Sequence, residues 1–188
     1  MSVYDRATRK ATAYGQERSF ELIGMQLDII TNKILANDKI VKLLINTNKE
    51  ALADKTPLTQ EDRLSVIKDK YITLVPYLPK EEEIKSYLII GFDDFTPTAG
   101  TDRAMDYTLS IDVLCHRDLW MMSGLCPRPY LIMNELKKEF HMAKLDTWGP
   151  AVFVGAPSLV ANDSYMGFSM LFSMSALEAT APVQEDVE

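Results

Sequence analysis

Apolar residues recur along the chain with one of two periods, and the change of period divides it. In residues 17–36, Phe20, Ile23, Leu27, Ile30 and Ile34 follow alternating steps of three and four, and Leu22 and Ile29 widen the stripe. At 3.6 residues per turn these positions share one face, so the segment is expected to be an amphipathic helix. Asn37 or Asp38 supplies the oxygen that starts a second helix, with Ile40, Val41, Leu44 and Ile45 inward, before Asn46, Thr47 and Asn48 favour a turn. Residues 48–60 read as a polar loop around Pro57. Thr59 and Asp62 have the spacing of a capping box, which predicts a short helix over residues 60–70. Pro76 and Pro79 hold residues 72–79 extended, and residues 80–85 form a charged, solvated run.

Beyond this point the period shortens to two. Residues 87–95 are a short apolar run rich in β-branched and aromatic side chains, and Pro97 and Gly100 mark a turn after it. Met105, Tyr107, Leu109, Ile111, Val113 and Cys115 then alternate with Asp106, Thr108, Ser110 and Asp112, as a half-buried strand requires. The Asp and Ser face is expected to meet solvent or a neighbouring subunit. Residues 117–127 read as a loop carrying Trp120, Met121 and Met122. Pro129, a good first-turn residue, opens a helix expected to reach Lys144, with Leu131, Ile132, Leu136 and Phe140 on its apolar face. Gly149 and Pro150 break the chain, and residues 152–154 and 158–160 are short strands. Gly167 opens a last strand in which Phe168, Met170, Phe172, Met174 and Ala176 alternate with Ser169, Ser173 and Ser175. Helices followed by strands predict an α+β fold: N-terminal helices, then a mostly antiparallel sheet with one helix packed on it. Residues 1–16 read as a flexible polar arm anchored only by Tyr4 and Tyr14, residues 17–177 as a single domain, and residues 178–188 as an acidic tail.

Composition narrows the partners. The chain has 188 residues, 47% of them hydrophobic and 25% charged, enough to build one core without disulfide or metal. The formal net charge of −7 opposes coating the outside of DNA, which needs clustered Lys and Arg, but permits lining a tube through which DNA slides. Two cysteines are too few for a disulfide framework, and reduced thiols are expected. No secretory signal is read at the N-terminus, and no stretch approaches the ~20 apolar residues of a membrane helix.

Chemistry finds little support in the sequence. Cys115, His116, Cys126 and His141 are zinc-type ligands, but adjacent strand residues point to opposite faces, so Cys115 reads as a core thiol with His116 on the far side. His116 has Asp118 and Ser123 nearby in sequence, without the G-x-S-x-G elbow of a hydrolase. Asp93 and Asp94 read as part of a solvated loop rather than an acid–base pair. Neither phosphate-binding glycine motif occurs, and no cofactor or metal is expected. Large apolar groups on the 120–122 loop are expected to be buried, either by a partner or by the chain's own core.

Several segments in order carry a resemblance. They are Asn37-Asp38-Lys39-Ile40-Val41-Lys42-Leu43-Leu44 after an amphipathic helix, and Lys85-Ser86-Tyr87-Leu88-Ile89-Ile90-Gly91-Phe92-Asp93-Asp94-Phe95. Ile111-Asp112-Val113-Leu114-Cys115-His116, Trp120 and Arg128-Pro129-Tyr130-Leu131-Ile132 follow. Asn162-Asp163-Ser164-Tyr165-Met166-Gly167-Phe168 leads into the last strand. Together they resemble neck and tail-completion proteins of long-tailed bacteriophages, most nearly the tail terminator type. The resemblance implies a non-enzymatic virion protein, assembled in the host cytoplasm as a homo-oligomeric ring, often a hexamer. Such a ring caps the tail tube and joins it to the head connector or stopper, while DNA passes through the lumen without sequence-specific contact. Another neck component, or a tail assembly chaperone outside the particle, is the alternative. The expected contact residues are Tyr4, Tyr14, Arg103, Arg117, Trp120, Met121, Met122 and Arg128, with residues 96–103 as a contact loop.

Overall fold

The computed structural model of the chain describes residues 19–99, 104–145 and 149–177. Helix α1 (Ser19–Ala36) buries Ile30 and Ile34 and half-buries Leu27 and Ile29, so this part of the 3.6-residue stripe faces the core; the side chains of Phe20, Leu22 and Ile23 lie outside the described ones. Asn37 caps helix α2 (Asp38–Ile45): its side-chain oxygen accepts the N–H groups of Lys39 and Ile40 at 3.1 and 3.2 Å, two donors the helix cannot satisfy itself. Ile40, Val41, Leu43 and Leu44 are buried. Helix α3 (Gln60–Lys68) starts with the capping box of Thr59 and Asp62. It stops short of residue 70, where Lys70 takes a left-handed φ of 60°.

The sheet contains β1 (Ile72–Thr73), β2 (Ser86–Pro97), β3 (Ala104–His116), β4 (Val152–Gly155), β5 (Ser158–Val160) and β6 (Tyr165–Leu177). Its order is β1-β2-β3-β6-β4, with β5 also on β6, and only β1 is parallel to its neighbour. The alternation of β3 is the frame. Tyr107, Leu109, Ile111, Val113 and Cys115 join Leu88 and Ile90 of β2 and Met170, Phe172 and Met174 of β6 in one buried face. Helix α4 (Arg128–Phe140) covers that face with Ile132, Leu136 and Phe140, the last edge-on to Phe172 at 6.1 Å between ring centroids. The helix ends at Phe140 rather than Lys144, because Met142 turns left-handed at φ 63°.

Two strand boundaries move as well. Strand β6 begins at Tyr165, two residues before Gly167. Gly167 lies inside it, where the β3 and β6 backbones close in: a Cβ there would sit 1.7 Å from the Val113 carbonyl oxygen. Thr96 and Pro97, expected in a loop, belong to β2, beyond a bulge at which Asp94 takes φ 57°; residues 100–103 lie outside the described ones. On the face away from the helices, the end near His116 is not solvated. Tyr87, Leu114 and Tyr165 form a second buried cluster there, with Tyr77 and Leu159 against it. His116 sits on the far side from Cys115, as its position requires, but is buried with its ring edge-on to Tyr165 at 5.2 Å. Farther along, the same face turns polar at Asp93, Thr108, Ser110, Asp112 and Ser169.

Candidate assembly surface

The 117–127 segment is fixed by the backbone rather than left open. A 3-10 turn (Arg117–Leu119) starts it, and the Arg117 N–H donates to Ser164 O at 2.8 Å. The Ser123 N–H donates to Lys49 O at 2.9 Å, and the Met122 N–H to Cys126 O at 3.0 Å. Met122 thereby enters the core, and Trp120 packs against Phe168 with ring centroids 6.5 Å apart. Met121 stays exposed, and so does Leu125, 86% exposed at the left-handed tip beside Gly124. Arg117 is exposed as well.

Arg128 leaves the set of contact residues. It is 1% exposed, and its guanidinium donates to four carbonyls: Leu43 and Asn46 at 2.6 Å, Asn48 at 2.7 Å and Leu119 at 3.1 Å. The cause is local. Helix α2 ends with carbonyls that have no partner within the helix, at the negative end of its dipole, and a planar five-donor cation satisfies several at once. Desolvation pulls the guanidinium pKa below its ordinary value, without a carboxylate to offset it. Arg128 is therefore an internal tie between α2 and the 117–127 segment. Tyr4, Tyr14 and Arg103 lie outside the described residues.

Other apolar side chains reach solvent along the two side edges of the sheet. Beyond β6, Val154 is 66% and Val160 71% exposed, with Val152, Met166 and Tyr130 partly so. Beyond β1, Val75 is 63% and Leu78 66% exposed, accompanied by Leu74 and Ile84, and Leu64 and Ile67 stand out from α3. Single exposed apolar residues are ordinary, but groups of them mark contact surfaces. The sequence pattern missed the edge beyond β6, because three- and four-residue strands do not reveal which of their faces is covered.

The chemically reactive groups are dispersed. Burial pushes the Cys115 thiol up to about 11. His116 Nδ1 accepts the Asp118 N–H at 3.2 Å inside the tyrosine cluster, and Ser123 is held by its own backbone bond to Lys49. Among the described residues no three His, Cys, Asp or Glu side chains are grouped to hold a metal ion. Asp93 and Asp94 are exposed, as a solvated segment requires, but lie in β2 rather than a loop; Asp93 accepts the Ser110 hydroxyl at 2.9 Å and faces a groove on the outer side of the sheet. Asp112 lines the same groove, and burial raises its carboxyl pKa, opposed by a hydrogen bond from Ser169 and reinforced by the Asp93 charge.

A family profile matches residues 37–174, well over half of the chain. The chain belongs to the YomW family. That name is of a prophage type and places the chain among phage proteins. The YomW match opens at the cap of α2 and takes in α2, α3, α4, the first five strands and β6 as far as Met174, while α1 lies before it. No curated protein matches the chain.

Proposed function

We propose that the chain is a structural protein of the phage neck, of the tail terminator type, which forms a closed ring that caps the tail tube and joins it to the head connector. The observation carrying this reading is the pair of apolar edges. They lie on opposite sides of the sheet and are built from different residues, so they are not copies of one self-complementary patch. Two unlike sticky surfaces on one subunit join head to tail, and such contacts close into a ring when the rotation between subunits allows. The family's phage character fits that setting. Six copies is the number the resemblance to terminators implies.

The charge fits a passage for DNA. At net −7, the wall of a lumen would repel phosphate weakly and let it slide. Mass spectrometry of purified particles, paired with deletion of the gene, tests the reading. A chain present at a few copies per particle, with heads and tails left unjoined in the deletion, supports it. A chain absent from particles yet required for tails would replace it with an assembly chaperone.

A further inference from the structure

We infer that the groove on the helix-free face of the sheet is a docking site for the chain's own N-terminal residues 1–18, held there by their arginine and lysine side chains. This rests on the groove and on the sequence of that segment, not on the ring reading.

The groove is an open trough of about 480 Å³. Tyr77, Leu114 and Leu159 wall it, and Asp93, Ser110 and Asp112 give it a polar floor. Strand register explains the arrangement: Ile89 pairs with Asp112, Gly91 with Ser110, and Asp112 with Ser169, so the floor combines two carboxylates with a glycine that leaves depth. Each carboxylate accepts a serine hydroxyl, yet among the described residues no Lys or Arg pairs with either. Such a trough suits a ligand with apolar or aromatic groups for the walls and a cation for the floor.

Residues 1–18 have that chemistry. They carry Arg6, Arg9, Lys10 and Arg18 against Asp5 and Glu17, so the segment is positive on a chain of net charge −7, and Tyr4 and Tyr14 flank its basic centre. The reach is sufficient. Gln26 of α1 accepts the Tyr107 hydroxyl at 2.6 Å on the inner face, three residues along β3 from Ser110 of the groove. From Ser19 round the end of the sheet to the floor is a path of roughly 30–40 Å, whereas 18 extended residues span about 60 Å. A guanidinium placed between the two aspartates would also relieve their mutual repulsion.

The test uses the full chain. Trypsin cuts after Arg6, Arg9 and Lys10, and a docked segment resists it. Cleavage there is expected to be about tenfold faster in Asp93→Asn/Asp112→Asn than in the wild type, with circular dichroism unchanged. In the reciprocal variant Arg6→Gln/Arg9→Gln/Lys10→Gln, hydroxyl-radical labelling of Tyr77 and Leu159 is expected to rise about threefold, because the docked segment no longer covers them. Equal cleavage rates in wild type and the aspartate variant, or unchanged labelling in the reciprocal one, would overturn the proposal. Protection that disappears on dilution would overturn docking within one copy.

Discussion

Replacing Arg128 by Met keeps most of the stem volume and removes every donor. The carbonyls of Leu43, Asn46, Asn48 and Leu119 then lose charge-assisted hydrogen bonds of 2.6–3.1 Å, those to Leu43 and Leu119 buried and those to Asn46 and Asn48 partly buried. Each unsatisfied buried carbonyl costs roughly 1–3 kcal/mol, and the gain from no longer burying a guanidinium offsets part of the sum, leaving a net loss of about 3–4 kcal/mol. Against a total of about 5–15 kcal/mol this is a large fraction, and it lowers the melting temperature by roughly 10 °C. Arg128→Lys is expected to fall between the two, since one ammonium cannot reach four acceptors spread over two segments. Urea unfolding followed by circular dichroism measures the loss, and amide exchange at Met122 and Ser123 locates it. If both variants unfold within about 0.5 kcal/mol of the wild type, the carbonyls are satisfied by other means and the tie is not needed.

Three further outcomes follow from the fold. Gly167→Ala places a Cβ against the Val113 carbonyl, so β3 and β6 must part, at a cost of about 3 kcal/mol in urea unfolding. Glu83 accepts the hydroxyl of buried Tyr87 at 2.6 Å, which holds its carboxyl pKa below the ordinary 4.5. Because the folded pKa is the lower one, the stabilisation is full above that ordinary value and fades as pH falls through the folded value; Glu83→Gln should flatten the acid limb of a melting-temperature profile there. Cys115, whose thiol is pushed up to about 11, should remain unmodified by a thiol reagent at about pH 8 until denaturant is added.

The sheet and its helix were legible because their signals are local and long. The alternation of β3 spans some ten residues, and the Asn37 cap and the Thr59–Asp62 box each lie within four residues. What escaped depends on distant pairings. Arg128 looks like a surface cation until the carbonyls 80 to 85 residues away are placed around it. Tyr87, Tyr165 and His116 look like separate strand ends until β3 brings them together on the outer face. Asp93 and Asp112 share a groove through strand register alone. The apolar edge beyond β6 escaped for a different reason: in segments as short as β4 and β5, an apolar residue reads as core whether or not anything covers it.

Disulfide capture in the phage's own host, driven by an added thiol oxidant such as diamide, tests head-to-tail closure most directly, since cytoplasmic thiols do not pair unaided. In a Cys126→Ser background, Val75→Cys marks one edge and Val154→Cys the other. Each single variant should give no covalent dimer, while a chain carrying both should give a ladder that ends at one closed species. Dimers from either single variant would show a two-fold contact between like edges, and no ladder from the double variant would show that the edges do not meet; either result would contradict the ring.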